Sequence, residues 1–246
     1  MTSTRVRSTI LIGEQKANKG RPMKSSALLR ADLESVLGGR FSAELNWRAR
    51  PARECVSTGI AALDALTGGL PRGAITEIHG TASSGRTSLM GSMLAAAAAR
   101  EEICALVDAG DTFDPASALA AGVDLSRLLW VRCGGNPEHA LKAADLLVQA
   151  GGFGLVALDL GDVSPGVARR IPLATWYRLR RAIEDTPTVM LLVEREQTVK
   201  SCASLVLEMR RDTVAWSGAV GCSRLLRSAR FRAASAGTSV PIGLAG

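Results

Sequence analysis

The sequence predicts an α/β fold: a mostly parallel central sheet, helices on both faces, and antiparallel edge strands at the C-terminal end. Three observations predict it. Short apolar runs alternate with helix-length stretches from residue 74 to residue 209, the pattern of strands buried on both faces and joined by crossover helices. A glycine-rich turn separates the first of those runs from the first of those helices. Beyond residue 210 the runs give way to arginines interleaved with apolar residues, as expected of strands with one wet face.

The composition sets the bounds. The chain has 246 residues, 47% hydrophobic but only 4% aromatic, so Ala, Leu and Val must fill the core. The longest apolar run, residues 93–99, is far too short to span a bilayer. The first residues carry no apolar signal region. The expectation is a soluble cytoplasmic protein of bacterial type, without a membrane segment. Five cysteines at 55, 104, 133, 202 and 222, with no CxxC pair, indicate neither a disulfide framework nor a metal site.

Charge divides the chain. Residues 1–53 hold 11 of the 30 Lys and Arg but 4 of the 23 Asp and Glu, leaving 19 of each sign for the rest. The excess of +7 therefore sits at the N-terminus. Residues 1–25 read as a disordered basic arm, where Arg5, Arg7, Lys16, Lys19, Arg21 and Lys24 offer weak, sequence-independent contact to DNA. A solvated tail explains the same charges. Residues 26–53 read as a helix and a linker. The helix, over 25–37, is capped by Ser25 or Ser26 and ended by Gly38-Gly39. Leu28, Leu29, Leu33, Val36 and Leu37 form its apolar stripe. That stripe is expected to dock on a partner, or else to fold back on the chain's own core. Residues 54–246 read as the core domain.

Within the core, strands are expected at 74–79, 103–108, 128–132, 154–160, 188–193 and 203–209, with edge strands at 213–216 and 224–232. Helices are expected at 86–99, 115–121, 137–150 and 167–184. His79 and His139 are the only histidines, one ending a core strand and one in a first helical turn, so no catalytic cluster of histidines is expected. Trp176 and Tyr177, flanked by Arg178, Arg180 and Arg181, suit packing of a helix on the sheet better than stacking on single-stranded DNA.

The strongest motif runs from Gly80 through Ser83, Ser84 and Gly85 to Arg86, Thr87 and Ser88, between a strand and a helix. There, glycines let backbone N–H groups turn inward around phosphate, and the helix N-terminus favours the anion. Thr87 stands where a hydroxyl holds Mg²⁺. Arg86 stands where such loops carry Lys, and a long planar fork is not equivalent to a compact point charge. Asp159 ends the apolar run 155–159, as does the acid that supports Mg²⁺ in P-loop proteins.

Taken in order, these residues resemble the RecA recombinase core. The resemblance runs through Ser57-Thr58-Gly59, Gly68-Gly69-Leu70-Pro71-Arg72-Gly73, Glu77-Ile78-His79-Gly80, Ser83-Ser84-Gly85-Arg86-Thr87, Val107-Asp108-Ala109, Asp114-Pro115 and Gly122-Val123-Asp124. It covers about residues 27–217 and implies a RecA-like P-loop core. It also implies an ATP and Mg²⁺ site formed by Gly80, Ser83, Ser84, Gly85, Arg86, Thr87, Ser88 and Asp159.

The departures matter as much. Recombinases carry a water-activating Glu where this chain has Gly110, and Asp111 is one residue out of register. Their γ-phosphate-sensing amide is replaced by Glu194-Arg195. Their DNA loops shrink to about 161–170 and 195–202, and their compact C-terminal domain is missing. This set of losses resembles the ImuA branch of RecA-like accessory proteins. That resemblance implies no catalytic residue, a role in damage-induced translesion synthesis, and partners that include RecA, an ImuB-like Y-family polymerase homologue and an error-prone replicative-type polymerase. It also implies nucleoid association through those partners. The other class, an active ATP-dependent recombinase, would need the missing side chains. Whether the loop keeps ATP without turning it over is open at this point. In recombinase filaments an N-terminal helix packs on the neighbouring protomer, so the stripe at 28–37 is expected to dock on RecA.

Overall fold

The computed structural model describes residues 53–217, 225–235 and 237–242; of Lys200, Trp216 and residues 225–228 it describes only the backbone. The basic arm, the stripe from Leu28 to Leu37, the linker, Arg224 and the side chains of Trp216 and Arg227 lie outside the described residues.

The strands are β1 (Cys55–Val56), β2 (Leu70–Pro71), β3 (Ala74–His79), β4 (Cys104–Asp108), β5 (Leu128–Arg132), β6 (Leu155–Asp159), β7 (Val189–Glu194), β8 (Ala203–Ser217), β9 (Leu225–Ser235) and β10 (Thr238–Ile242). The helices are α1 (Ala61–Thr67), α2 (Arg86–Ala99), α3 (Pro115–Ala120), α4 (Pro137–Ala150), α5 (Pro165–Ala168) and α6 (Leu173–Ile183). Eight strands form one sheet in the order β10-β9-β8-β3-β7-β6-β4-β5. From β8 to β5 every pairing is parallel; β9 and β10 add antiparallel strands. This is the α/β architecture expected, with the antiparallel strands at the C-terminal end.

Local chemistry sets the helix ends. Asp114 accepts from the N–H groups of Ala116 and Ser117 ahead of Pro115, and Asn136 from those of Glu138 and His139 ahead of Pro137. Both pairs place a capping acceptor before a proline already suited to the first helical position. Helix α2 buries Leu89, Met90, Met93, Leu94 and Ala97, a stripe at helical spacing that packs on one face of the sheet. Helices α4 and α6 cover the other face.

Three expectations need correction. The helix expected at 167–184 is two helices, because Pro172 adopts an extended conformation (ψ 137°) and its ring cannot continue a preceding helix. The strand expected at 213–216 is the far half of β8. It looked separate because the pairing with β9 slips between Arg211 and Thr213 and again between Ala215 and Trp216, and each bulge shifts the alternation by one residue. Helix α1 and strands β1, β2 and β10 were not foreseen. The strands at 103–108, 154–160 and 188–193 fall within a residue or so of β4, β6 and β7, as element ends usually do.

Helix α6 decides the reading of its aromatic pair. Trp176 is 1% exposed and packs with Leu179 and Ile183 against the sheet. Tyr177 faces outward beside the Ser201 hydroxyl, and Arg178 pairs with Asp145 at 3.2 Å. The helix is thus attached through its tryptophan, with its basic face in solvent. Replacing Trp176 with Ala should lower the unfolding free energy by about 3–5 kcal/mol, the usual cost of emptying a buried aromatic site. Denaturant titration of the two proteins measures it, and a loss below about 1 kcal/mol would contradict this packing.

Candidate functional site

The site forms at the C-terminal ends of β3, β6 and β7, where the strand order doubles back. Such crevices are where open α/β sheets bind ligands. Strand β3 runs parallel between β7 and β8 and delivers residues 80–85 above the sheet. Gly80 has no room for a side chain, since a Cβ there would stand 2.3 Å from the Met209 carbonyl oxygen. Ser83 and Gly85 take the left-handed conformation (φ 57° and 89°), which turns successive N–H groups toward one hollow. Helix α2 begins at Arg86 with no side chain capping its first turn, so its leading N–H groups point into the same hollow.

Two cavities flank this turn. One, of about 300 Å³, lies against residues 83–88 and is walled by Arg211, Val214 and Phe231. Phe231 sits so close that a Cβ on Gly85 would lie 2.7 Å from its ring. The other, of about 380 Å³, is largely apolar and runs from Thr87 and Ser88 to Phe113, Asp114 and Ser117. Thr87, Ser88 and Ser83 are exposed, whereas Ser84 is buried and its hydroxyl has no hydrogen-bond partner.

Arg86 does not reach into solvent. It is 9% exposed, and its Nη1 is buried without a hydrogen-bond partner. The guanidinium lies against Gly161, 3.3 Å from where a Cβ on that residue would be, and it interacts electrostatically with Asp159. The Asp159 carboxylate accepts from the Gly161 N–H at 2.7 Å. Burial pushes its pKa up to about 6, against the opposing pull of that hydrogen bond and of Arg86. Arg86 and Asp159, remote in sequence, are thus brought together.

Gly110 leaves a space that the turn after β6 fills. A Cβ on Gly110 would stand 3.1 Å from the Asp162 Cβ and 3.3 Å from its Oδ2. Arg195 holds this arrangement, donating from Nε to the Gly161 carbonyl oxygen at 2.8 Å and lying 3.4 Å from Asp162 through Nη2. Asp111, by contrast, accepts from the Cys133 and Gly134 N–H groups and from Arg132, so its carboxylate caps the turn after β5. Asp162, Arg211 and Phe231 enter the site without having been foreseen. An acid three residues past the end of β6, and an edge-strand Arg and Phe, carry no spacing signal of their own.

Glu194 turns inward instead of toward the loop. It is 1% exposed, and Glu77 beside it is fully buried. The two share Thr198, whose N–H donates to Glu77 at 2.7 Å and whose hydroxyl donates to Glu194. The Val199 N–H also donates to Glu77. These bonds fasten residues 195–199 to the sheet. His79 is half-buried at the rim of a groove with Arg195, Glu208 and Arg210, and burial lowers its pKa. His139 is exposed.

Comparison with known proteins agrees with this geometry. A model described as the RecA N-terminal domain matches residues 30–169. Protein RecA of Caulobacter sp. (strain K31) is 29% identical over 201 residues, 75% of this chain and 55% of the relative. Protein RecA of Chlorobium chlorochromatii (strain CaD3) is 36% identical over 158 residues, 58% of this chain and 44% of the relative. Protein RecA of Rhizobium leguminosarum bv. viciae is 34% identical over a stretch of the same length. The chain spans about half the length of the curated relatives it matches.

The carboxyl pair makes a pH prediction. Burial, with Glu77 adding to it, pushes Glu194 up to about 8, against about 4.3 for an unfolded glutamate. The stability of its protonated form is fully present below the unfolded value and is lost as pH rises through the folded one. Glu194→Gln cannot ionise, so its melting temperature should gain on the wild type as pH is raised from about 5 to about 8.5. Melting curves followed by circular dichroism give the difference at each pH, and a constant difference would rule out this ionisation.

Proposed function

The chain belongs to the RecA family, and on that premise we propose that it is a non-hydrolysing accessory protein of the DNA-damage response, acting in translesion synthesis. One observation carries the reading: the place of the water-activating carboxylate is a glycine, Gly110, with the Asp162 side chain packed over it and paired to Arg195. Positioning and electrostatic stabilisation supply most of the catalysis in phosphoryl transfer. Here the P-loop cation is an arginine held against β6, and the position of the sensing amide is an arginine engaged with the Gly161 carbonyl. Each ~1.4 kcal/mol lost from transition-state stabilisation is tenfold in rate. The partners follow from the ImuA resemblance: RecA, an ImuB-like polymerase homologue and an error-prone replicative-type polymerase. The basic arm contributes weak, salt-sensitive DNA contact.

Asp162 also favours a second reading. Its carboxylate stands where a Gly110 side chain would begin, so a relocated acid could activate water in a working ATPase. Steady-state phosphate release with ATP, Mg²⁺ and single-stranded DNA separates the two. The accessory reading expects no DNA-stimulated turnover. Turnover that disappears in Asp162→Asn would establish the ATPase instead. Glu at position 110 alone crowds Asp162, which must shift by a few tenths of an ångström to admit it. The variant to make is Arg86→Lys, Gly110→Glu and Asp162→Ala together, which should gain phosphate release.

The apolar stripe at residues 28–37 tests the partner. Leu29→Asp with Leu33→Asp should abolish capture of RecA while leaving the melting temperature nearly unchanged, since burying each leucine is worth ~1.5–3 kcal/mol wherever it is buried. Retained capture would remove the helix from the interface. A large drop in melting temperature would assign the stripe to the chain's own core.

A further inference from the structure

A P-loop site of the RecA kind places a divalent cation between the hydroxyl that Thr87 offers and the acid at Asp159. The residues present do not fit one. Arg86 is 9% exposed, and its guanidinium lies against Gly161 just beyond β6, near enough to the Asp159 carboxylate to interact with it electrostatically. Arg195 brings a second guanidinium to the same end through the Gly161 carbonyl, and Arg86 is close enough to be influenced by it. The two guanidiniums already offset the Asp159 and Asp162 carboxylates beside them, so a metal ion there would compete with two fixed positive charges for the same oxygens. One Asp159 oxygen, Oδ1, is already accepting from the Gly161 N–H at 2.7 Å.

The same residues fit an anion. Arg86 Nη1 and the Ser84 hydroxyl are buried without hydrogen-bond partners. A buried donor left unpaired is costly, more so when it is charged. Ser83 and Gly85 take the left-handed conformation that lines such hollows with N–H groups, and the uncapped start of α2 adds the positive end of its dipole. Residues 83–88 line one cavity, and a phosphate chain suits the donors gathered there.

We propose that this loop binds the phosphate chain of a nucleotide without a divalent cation, the Arg86 guanidinium standing in the metal's place. A lysine at this position would be too short to lie along β6 and would leave that place to the ion. The arginine reaches it, carries its charge at any physiological pH, and offers planar donors that suit phosphate oxygens. The arrangement deepens the non-hydrolysing reading. A guanidinium supplies charge, yet it cannot coordinate the attacking and leaving oxygens as a metal does. The inference rests on that reading only for the absence of turnover.

The experiment is equilibrium binding of ATP, with inorganic pyrophosphate as competitor, to the full chain. It is run at matched ionic strength in Mg²⁺ and in EDTA. The wild type should bind with a Kd that agrees within about twofold between the two conditions, and pyrophosphate should displace ATP. Arg86→Ala should weaken binding by about tenfold or more. Arg86→Lys, which keeps the charge, should bind only when Mg²⁺ is present. That result also separates loss of the site from loss of the fold, as does the melting curve of each variant. Mg²⁺ that tightens wild-type binding by about tenfold or more, or failure of the folded wild type to bind either ligand, overturns the proposal. Mg²⁺-tightened binding without phosphate release overturns this inference alone, whereas phosphate release in Mg²⁺ overturns the accessory function.

Discussion

The backbone of Gly80 runs so close to strand β8 that a Cβ would stand 2.3 Å from the Met209 carbonyl oxygen, and its N–H donates to the Glu194 carbonyl on the other side. The end of β3 is therefore held between β7 and β8, and the loop that follows leaves the sheet in one direction only. The left-handed turns at Ser83 and Gly85, the start of α2 and the placing of Arg86 all depend on that exit. No residue with a side chain can occupy position 80 unless β8 moves away, and β8 carries β9 and the ring of Phe231 with it.

Below the loop, the sheet contains a polar interior unusual for a strand region otherwise filled with Leu, Val and Met. Glu77 and Glu194 are buried on neighbouring strands and bound to Thr198. Burial disfavours both charges, and the pair is reconciled with the interior by hydrogen bonds and by protonation of Glu194. The functional consequence is geometric. The short connection 195–202 is tied to the sheet from beneath, and so Arg195 is presented to Gly161 and Asp162.

The site itself is a rearrangement of charges between strands. The segment after β4 carries Gly110, and the Asp162 side chain from the segment after β6 packs over it. A cation that P-loops direct at phosphate is directed along β6. The glycine-rich turn keeps its left-handed residues Ser83 and Gly85, while the charges around it come from other strands.

Much of this was legible in the sequence. Periodicity gave β3 to β7 and helices α2 and α4 nearly to the residue, because those segments are long, strongly patterned and closed by Pro, Asn, Asp or Gly. The order strand, glycine-rich turn, helix at β3, residues 80–85 and α2 was legible for the same local reason. The sequence also places Gly110 and Arg86 at positions where the recombinases it resembles carry Glu and Lys. Tertiary structure decided the rest. Pairing with β9 made β8 one strand across two bulges, and Pro172 divided a helix whose amphipathic pattern ran straight through it. Above all, the neighbours of Arg86 and the occupant of the space at Gly110 come from the end of β6 and the turn after it, some fifty to seventy-five residues away in the chain. Spacing within a segment fixes which side chains share a face, but only the packing of strands into a sheet brings distant charges to one point.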